Sequence, residues 1–323
     1  MRRRGIKRVK QWLRRATIPL RARVVILLYH RIFEASSDPW ELCVSPKHFA
    51  EQLEFLRRNY RVLSLNELVN YLRAGRLPKR AVVLTFDDGY ADNLWNAKPL
   101  LEKYQVPATV FVTSGYVDSP GEFWWDDLER ILLQPKQLPQ HLHMTIQGQD
   151  YEWSITDLGR LVEIYFAIHQ VLQPLSKPHR DQAIAKLFAW ANVERKGRPD
   201  NRPLSKNELI ELSQSKFVEI GAHTVFHPFL SSLSPADQLA EIANSRRQLE
   251  AILGDRVDTF SYPYGNFTAE TVNIVKHAGF GVALTVAPTA VETRDNLYRL
   301  GRFGVGDWGG EKFKRYLDEF FRT

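Results

Sequence analysis

The chain has 323 residues, 44% of them apolar, enough for one large core with an elaboration. Its formal charge of +7 is concentrated: residues 1–23 hold ten Lys or Arg and no acid, so the remainder is close to neutral, which argues against nucleic acid as a partner. A single cysteine, Cys43, excludes an internal disulfide and leans towards a reducing compartment.

The basic stretch reads in two ways. Arg2, Arg3, Arg4, Lys7, Arg8, Lys10, Arg14 and Arg15, with Ile6, Val9, Trp12 and Leu13 between them, suit an amphipathic helix on anionic lipid. The other reading is a solvated tail. The apolar run that follows, Val24–Tyr29, is too short for a signal-peptide core or a membrane span. The expected address is therefore cytoplasmic, with residues 1–23 in peripheral contact with the inner membrane face.

Val24–Tyr29 reads as a first buried strand ending at His30. Ser45 then caps a helix with Pro46 at its first position, and Ser64 with Glu67 makes a capping box for a second helix closed by Gly75. The apolar run 81–84 leads into Thr85, Phe86, Asp87, Asp88 and Gly89, placing two carboxylates at a strand's C-terminal end before a sharp turn. A helix over 93–104 and a strand over 108–112 continue the alternation, which argues α/β with a parallel sheet.

From 116 to 210 the alternation breaks into a Trp-rich opening, a polar patch (134–149) and helical stretches over 157–172 and 181–191. This segment is expected to be a helical insertion covering one end of a barrel. Trp124 and Trp125 either line a substrate cleft or pin the insertion to the barrel. Strands over 217–222, 257–261, 280–285 and 298–303, with helices after Ser234 and Thr268, resume the pattern. Seven strands suit a distorted, incompletely closed (β/α)7 barrel built from 24–115 and 211–310, with a helix over 311–323. In such barrels functional groups lie at the strand C-terminal ends.

His223, Thr224 and His227 follow the 217–222 strand as the two carboxylates follow theirs. One carboxylate and two neutral imidazoles form a set that leaves positions open for water and substrate. Zinc is the first choice of divalent metal, and cobalt, manganese or nickel tolerate the same ligands.

These stretches resemble the polysaccharide deacetylase family, the NodB-homology or carbohydrate esterase 4 group. Its Thr-Phe-Asp-Asp-Gly motif is matched by Thr85 to Gly89, and its His-Ser/Thr-x-x-His motif by His223, Thr224 and His227. Its Arg-x-Pro-x-Gly motif is matched by Ser261 to Gly265, with Ser261 in place of Arg. Tyr29-His30-Arg31 and the run from Phe123 to Asp126 resemble one branch of the family. The resemblance spans about residues 24–310.

The resemblance implies a TIM-like barrel and hydrolysis of N-acetyl groups on amino sugars. It makes Asp88, His223 and His227 the metal ligands, Asp87 the general base, and Pro263 and Tyr264 part of the substrate site, with the Tyr264 N–H holding the oxyanion. The family's late Leu-x-His acid has no counterpart here. Arg302 is a candidate to orient Asp87, and His30 to approach the metal site from the first strand. Two rival readings remain: deformylation or deacetylation of a nucleotide- or lipid-linked sugar, and a catalytically silent glycan-binding protein on the same fold.

Overall fold

The computed structural model describes residues 23–135 and 137–321, so the expected lipid-facing tail lies, except for Arg23, outside the described residues. Strand β1 (Val24–Tyr29) is followed by a short pair, β2 (Arg31–Ile32) and β3 (Cys43–Val44), and by helix α1 (Pro46–Asn59). Next come β4 (Arg61–Leu63), α2 (Leu65–Arg73), β5 (Ala81–Phe86), α3 (Lys98–Tyr104) and β6 (Ala108–Val112). An excursion then holds α4 (Trp124–Leu133), β7 (His141–Ile146), β8 (Gln149–Ser154), α5 (Leu158–Leu172), α6 (Lys177–Ala191) and α7 (Lys206–Ser213). The main sheet resumes with β9 (Val218–Ala222), α8 (Pro235–Leu253), β10 (Thr259–Ser261), α9 (Ala269–His277), β11 (Val282–Leu284) and β12 (Phe303–Gly304), and the last helix is α10 (Gly310–Phe321).

The main sheet runs β11-β10-β9-β6-β5-β1-β12 with every pair parallel. β4 pairs with Ala81 to Val83 of β5, and β6 takes over from Leu84 to Phe86. The sheet curls until its ends nearly meet: Leu300 bridges Leu284 of β11 while Phe303 and Gly304 pair with β1. The seven strands of this path form the expected distorted barrel, and β4 is an eighth strand that the sequence reading did not include. The last strand is shorter than expected, since regular pairing covers only Phe303 and Gly304.

β1 and β5 are buried along their whole length, as continuous apolar runs require when both faces are covered. Side chains alternate between two cores. Val25, Leu27, Val82 and Leu84 join the helices in one cluster, while Val24, Ile26, Ala81 and Val83 meet Phe111, Leu284 and Leu300 in another. Thr85 and Asp87 continue the second face, so this pair of strands turns polar at the barrel's C-terminal mouth.

The helix signals hold in detail. Ser45 caps α1, whose Phe49, Leu53 and Leu56 are buried, and Ser64 and Glu67 form the reciprocal capping box of α2. The insertion departs from expectation in three places. The polar patch is an antiparallel hairpin, β7–β8, because Leu142, Met144 and Ile146 alternate inward and Gln147–Gly148 turns with φ +49° and +81°. α6 begins at Lys177, four residues before the expected stretch. α7 crosses the expected boundary at 210 and packs on β9 and α8.

Candidate active site

The two carboxylates sit where β5 ends. Thr85 donates through Oγ1 to the Leu27 carbonyl at 2.8 Å, and the Asp87 N–H donates to the Tyr29 carbonyl at 3.0 Å, so the strand stays paired up to the motif. Asp88 then turns into the left-handed region at φ +75° and Gly89 follows at +85°, with Val112 packed 3.0 Å from where a Cβ would stand. Any larger residue at 89 pushes against β6.

The histidines are delivered by the loop after β9. The Thr224 hydroxyl oxygen accepts the His227 N–H at 3.0 Å, and Glu241 of α8 accepts the N–H groups of Val225 and Phe226, both at 2.9 Å. Thr224 and His227 have φ of +64° and +53°. Together with Asp88 and Tyr264 (+57°), they make four of the ten non-glycine residues with positive φ among those described. Strain gathered at one place marks a functional constraint.

His227 Nε2 lies 3.5 Å and His223 Nε2 3.6 Å from Asp88 Oδ1, and all three residues are buried. His223 Nδ1 lies 2.8 Å from the Ser261 carbonyl, which requires the proton on Nδ1 and leaves Nε2 free as a ligand. Burial lowers both imidazoles: Asp87 opposes this at His223, and the His223 ring adds to it at His227. Burial and the Asp87 charge push Asp88 well above the carboxylate range. Neutral imidazoles around a buried carboxylate that, among the described residues, no Lys or Arg contacts fit a divalent cation, which balances such a set.

Asp87 has a different environment. Arg302 donates from Nη1 to Oδ1 at 2.7 Å and from Nη2 to Oδ2 at 2.6 Å. Ser261 Oγ donates to Oδ2 at 3.1 Å while accepting from Arg302 Nη2 at 2.8 Å. Arg302 is itself held by the Thr285 carbonyl and Thr85 Oγ1. Burial alone would raise the Asp87 carboxyl, but the Arg302 charge, aided by His223, brings it to about 2. Adjacent aspartates thus have opposite tendencies, one held ionised by an arginine and one pushed towards its protonated form by burial and its neighbour's charge.

These groups open into a cleft of about 360 Å³, within the range of small-molecule sites. His30 lines it, and burial, only partly offset by Asp87, lowers its ring to about 4, so it is neutral near pH 7. Tyr264 lines it with its ring 4.4 Å from His227, whereas Pro263 is buried beneath the turn and is not on the wall. Trp125 lines it as well, stacked on Phe123 at 4.8 Å and donating to Tyr90 Oη at 2.7 Å. Trp124 is not on the wall. It faces into the insertion, stacked on His169 at 4.6 Å beneath the Arg180 guanidinium, because successive residues of α4 point in different directions.

Sequence reasoning missed Trp40, His169, Gln170 and Gln173, which also line the cleft. Trp40 sits in an irregular loop, and the other three share a helix whose pattern reads simply as amphipathic. Ser261 was noted only as a replacement for arginine, and its hydroxyl bridges Asp87 and the Arg302 guanidinium.

Buried carboxylate and imidazole groups at the C-terminal mouth of a parallel barrel, opening on a ligand-sized cleft, are the makings of a hydrolase site. The family model for polysaccharide deacetylases matches residues 74–153 and 179–283, and the chain belongs to that family. It is by that membership a hydrolase of carbon–nitrogen bonds in linear amides.

YxkH of Bacillus subtilis is 23% identical over 300 residues, covering 92% of this chain and 77% of the relative. A poly-β-1,6-N-acetyl-D-glucosamine N-deacetylase of Staphylococcus aureus is 22% identical over 307 residues, covering 91% and 82%. Among solved structures, the Streptococcus pyogenes deacetylase PplD in complex with acetate superposes with a TM-score of 0.61 at 20% identity, covering 92% of this chain and 99% of that one. IcaB from Ammonifex degensii gives 0.60 at 20% identity, covering 93% and 97%. The structural likenesses show the fold.

Proposed function

We propose that the protein removes N-acetyl groups from amino sugars in a polysaccharide or a lipid-linked glycan precursor, using a divalent cation, zinc first, held by Asp88, His223 and His227. The observation that carries this reading is the meeting of that triad with an arginine-held Asp87 in one cleft. When bound, such a cation supplies Lewis-acid polarisation of the acyl carbonyl and acidifies a water molecule.

The chain's own groups do the remainder. Asp87, ionised by Arg302, accepts the proton released as water adds to the acyl carbon. The Tyr264 N–H, presented at a strained turn, donates to the oxygen on which charge develops. When the carbon–nitrogen bond breaks, the proton taken from water must end on the departing amine. His30, neutral beforehand and facing the same cleft, relays it there. Water is thus divided between acetate and amine. The substrate class is supported by the Staphylococcus aureus relatives, which are poly-β-1,6-N-acetyl-D-glucosamine N-deacetylases.

A silent glycan-binding role is the rival reading, motivated by the absent motif arginine and late histidine. Arg302 weakens it, because it supplies from β12's approach the guanidinium that Ser261 lacks. The test is metal analysis of the purified protein together with acetate release from N-acetylglucosamine oligomers, with and without zinc or cobalt. Bound metal with released acetate supports the enzyme, and a metal-free protein that releases none overturns it. Attachment to the cytoplasmic membrane face through residues 1–23 belongs to the same proposal. A chain lacking residues 1–20 should lose anionic-vesicle binding and keep its catalysis.

A further inference from the structure

Four arginines are buried among the described residues, and three of them meet carboxylates. Arg31 pairs with Asp92, Arg130 with Glu122 and Asp127, and Arg302 with Asp87. Arg180, 1% exposed near the start of α6, meets none among the described residues. Its Nη2 donates to the Phe226 carbonyl at 3.0 Å, while Nε and Nη1 are buried without hydrogen-bond partners. Glu241 feels its charge but is engaged elsewhere on the same turn, where its Oε2 accepts the Val225 and Phe226 N–H groups.

Further unpartnered polar atoms gather around this guanidinium. Its carbon lies 5.0 Å from the centre of the Trp124 ring, whose Nε1 is buried and without a partner. Tyr264 Oη is buried and unpartnered as well, close to Trp124 and within reach of the Arg180 charge. The Tyr264 ring meets His227 edge-on at 4.4 Å, and His227 Nδ1 is a further buried atom with no partner. Tyr116 flanks the guanidinium.

A water molecule suits this set poorly. Guanidinium and indole N–H groups only donate, so a water accepting from them must place its own hydrogens elsewhere. Water also leaves a buried charge uncompensated, which is the costlier defect. A small anion accepts from every donor and balances the charge. Neither Arg180 nor Trp124 lines the catalytic cleft, so the ligand is a resident ion and not part of the substrate.

We propose that Arg180, Trp124 and Tyr264 hold one small monovalent anion, chloride first, behind His227. Its consequence for catalysis rests on the metal reading. With Nε2 on a metal, His227 carries its proton on Nδ1, and an anion on that side makes the imidazole a stronger ligand.

The test begins with the full chain in chloride-free sodium isethionate, whose anion is too bulky for a closed site. Chloride or bromide is then titrated in at constant ionic strength. The melting temperature should rise saturably by several degrees with either halide, because an ion bound only by the folded state stabilises it. Crystals grown in bromide should show anomalous density within hydrogen-bond distance of the Arg180 guanidinium and Trp124 Nε1. Zinc should be lost to a chelator at least tenfold more readily in isethionate than in chloride.

Arg180→Gln should abolish the halide shift and make zinc retention the same in both buffers. Trp124→Phe deletes one N–H and keeps an aromatic ring, so it should weaken halide binding at least fivefold even if Arg180→Gln fails to fold. A melting temperature indifferent to the anion, a bromide map with only water at the site, or a halide shift that survives Arg180→Gln would each overturn the proposal. Bromide seated in a chain that holds no zinc removes the metal reading and leaves the anion site standing. Zinc held with no bromide seated does the reverse.

Discussion

Arg302 and Asp87 meet in a two-point contact, Nη1 to Oδ1 at 2.7 Å and Nη2 to Oδ2 at 2.6 Å, across 215 positions of sequence. A planar guanidinium opposite a planar carboxylate fixes the carboxylate's orientation as well as its charge. The guanidinium is 1% exposed, so each charge depends on the other. Asp87 is depressed, so the pair's contribution is present above about pH 4 and lost as pH falls through about 2.

Arg302→Met should therefore lower kcat by about a hundredfold, with a stability loss of about 3–5 kcal/mol from the stranded carboxylate. With burial uncompensated, the Asp87 carboxyl rises, and the acid limb of kcat should move to higher pH. A structural role alone would lower the melting temperature and leave that limb in place. Arg302→Lys should restore most of the stability but little of the rate, since one ammonium cannot make the two-point contact.

Base and ligand should separate under mutation. Asp87→Asn removes the proton acceptor and keeps the shape, so turnover should fall at least a thousandfold with metal content near stoichiometric. His227→Ala opens the triad and should lose metal and activity together. Plasma emission analysis alongside acetate release reads both. A fully active Asp87→Asn, or a fully metallated His227→Ala, would remove the corresponding assignment.

Asp126 provides a pH dependence away from the metal set. Burial raises its carboxyl to about 7, against the pull of Arg31, while its Oδ2 accepts from Tyr90 Oη at 2.7 Å. A raised carboxyl favours the protonated fold, so its contribution is full below the unfolded value of 3.8 and is lost as pH rises to about 7. Asp126→Asn, which still accepts from Tyr90, should match wild type near pH 4. It should then gain on wild type by up to about 1.4 kcal/mol per pH unit across the window. Melting curves at stepped pH measure this, and parallel curves would dismiss it.

Gly301 governs where Arg302 goes. A Cβ there would stand 2.1 Å from Thr289 Oγ1 and 2.5 Å from the Ala287 carbonyl, which also accepts the Arg302 N–H at 2.9 Å. Gly301→Ala must displace this backbone and the guanidinium with it. Activity should drop at least tenfold and the melting temperature by several degrees, through overpacking of about 1–3 kcal/mol. Gly304→Ala, three residues on and with open space around it, should leave both unchanged.

Much of the barrel could be read in the chain because its signals are local. Apolar runs such as Val24–Tyr29 and boxes such as Ser64 with Glu67 depend on neighbours one to four residues away. The same holds for Asp87, Asp88, His223 and His227: each is the residue just past a buried strand or one short turn beyond, so strand polarity alone brings them to one mouth. The hairpin at 141–154 was missed although its alternation is local, because polar outward positions and a Gln-Gly turn read as a polar patch.

Local sequence could not decide what meets across the mouth. Arg302 reaches Asp87 only because the chain end closes the sheet between β11 and β1, and Ser261 leaves room for a guanidinium arriving from there. Trp125 faces the cleft and Trp124 the insertion core because α4 packs against both α5 and α6, and its successive residues point in different directions. The sequence by itself determined which groups stand at the strand ends. Tertiary structure decided which arginine holds Asp87 and which aromatics line the cleft, since those contacts join residues whose separation along the chain carries no information about their distance in space.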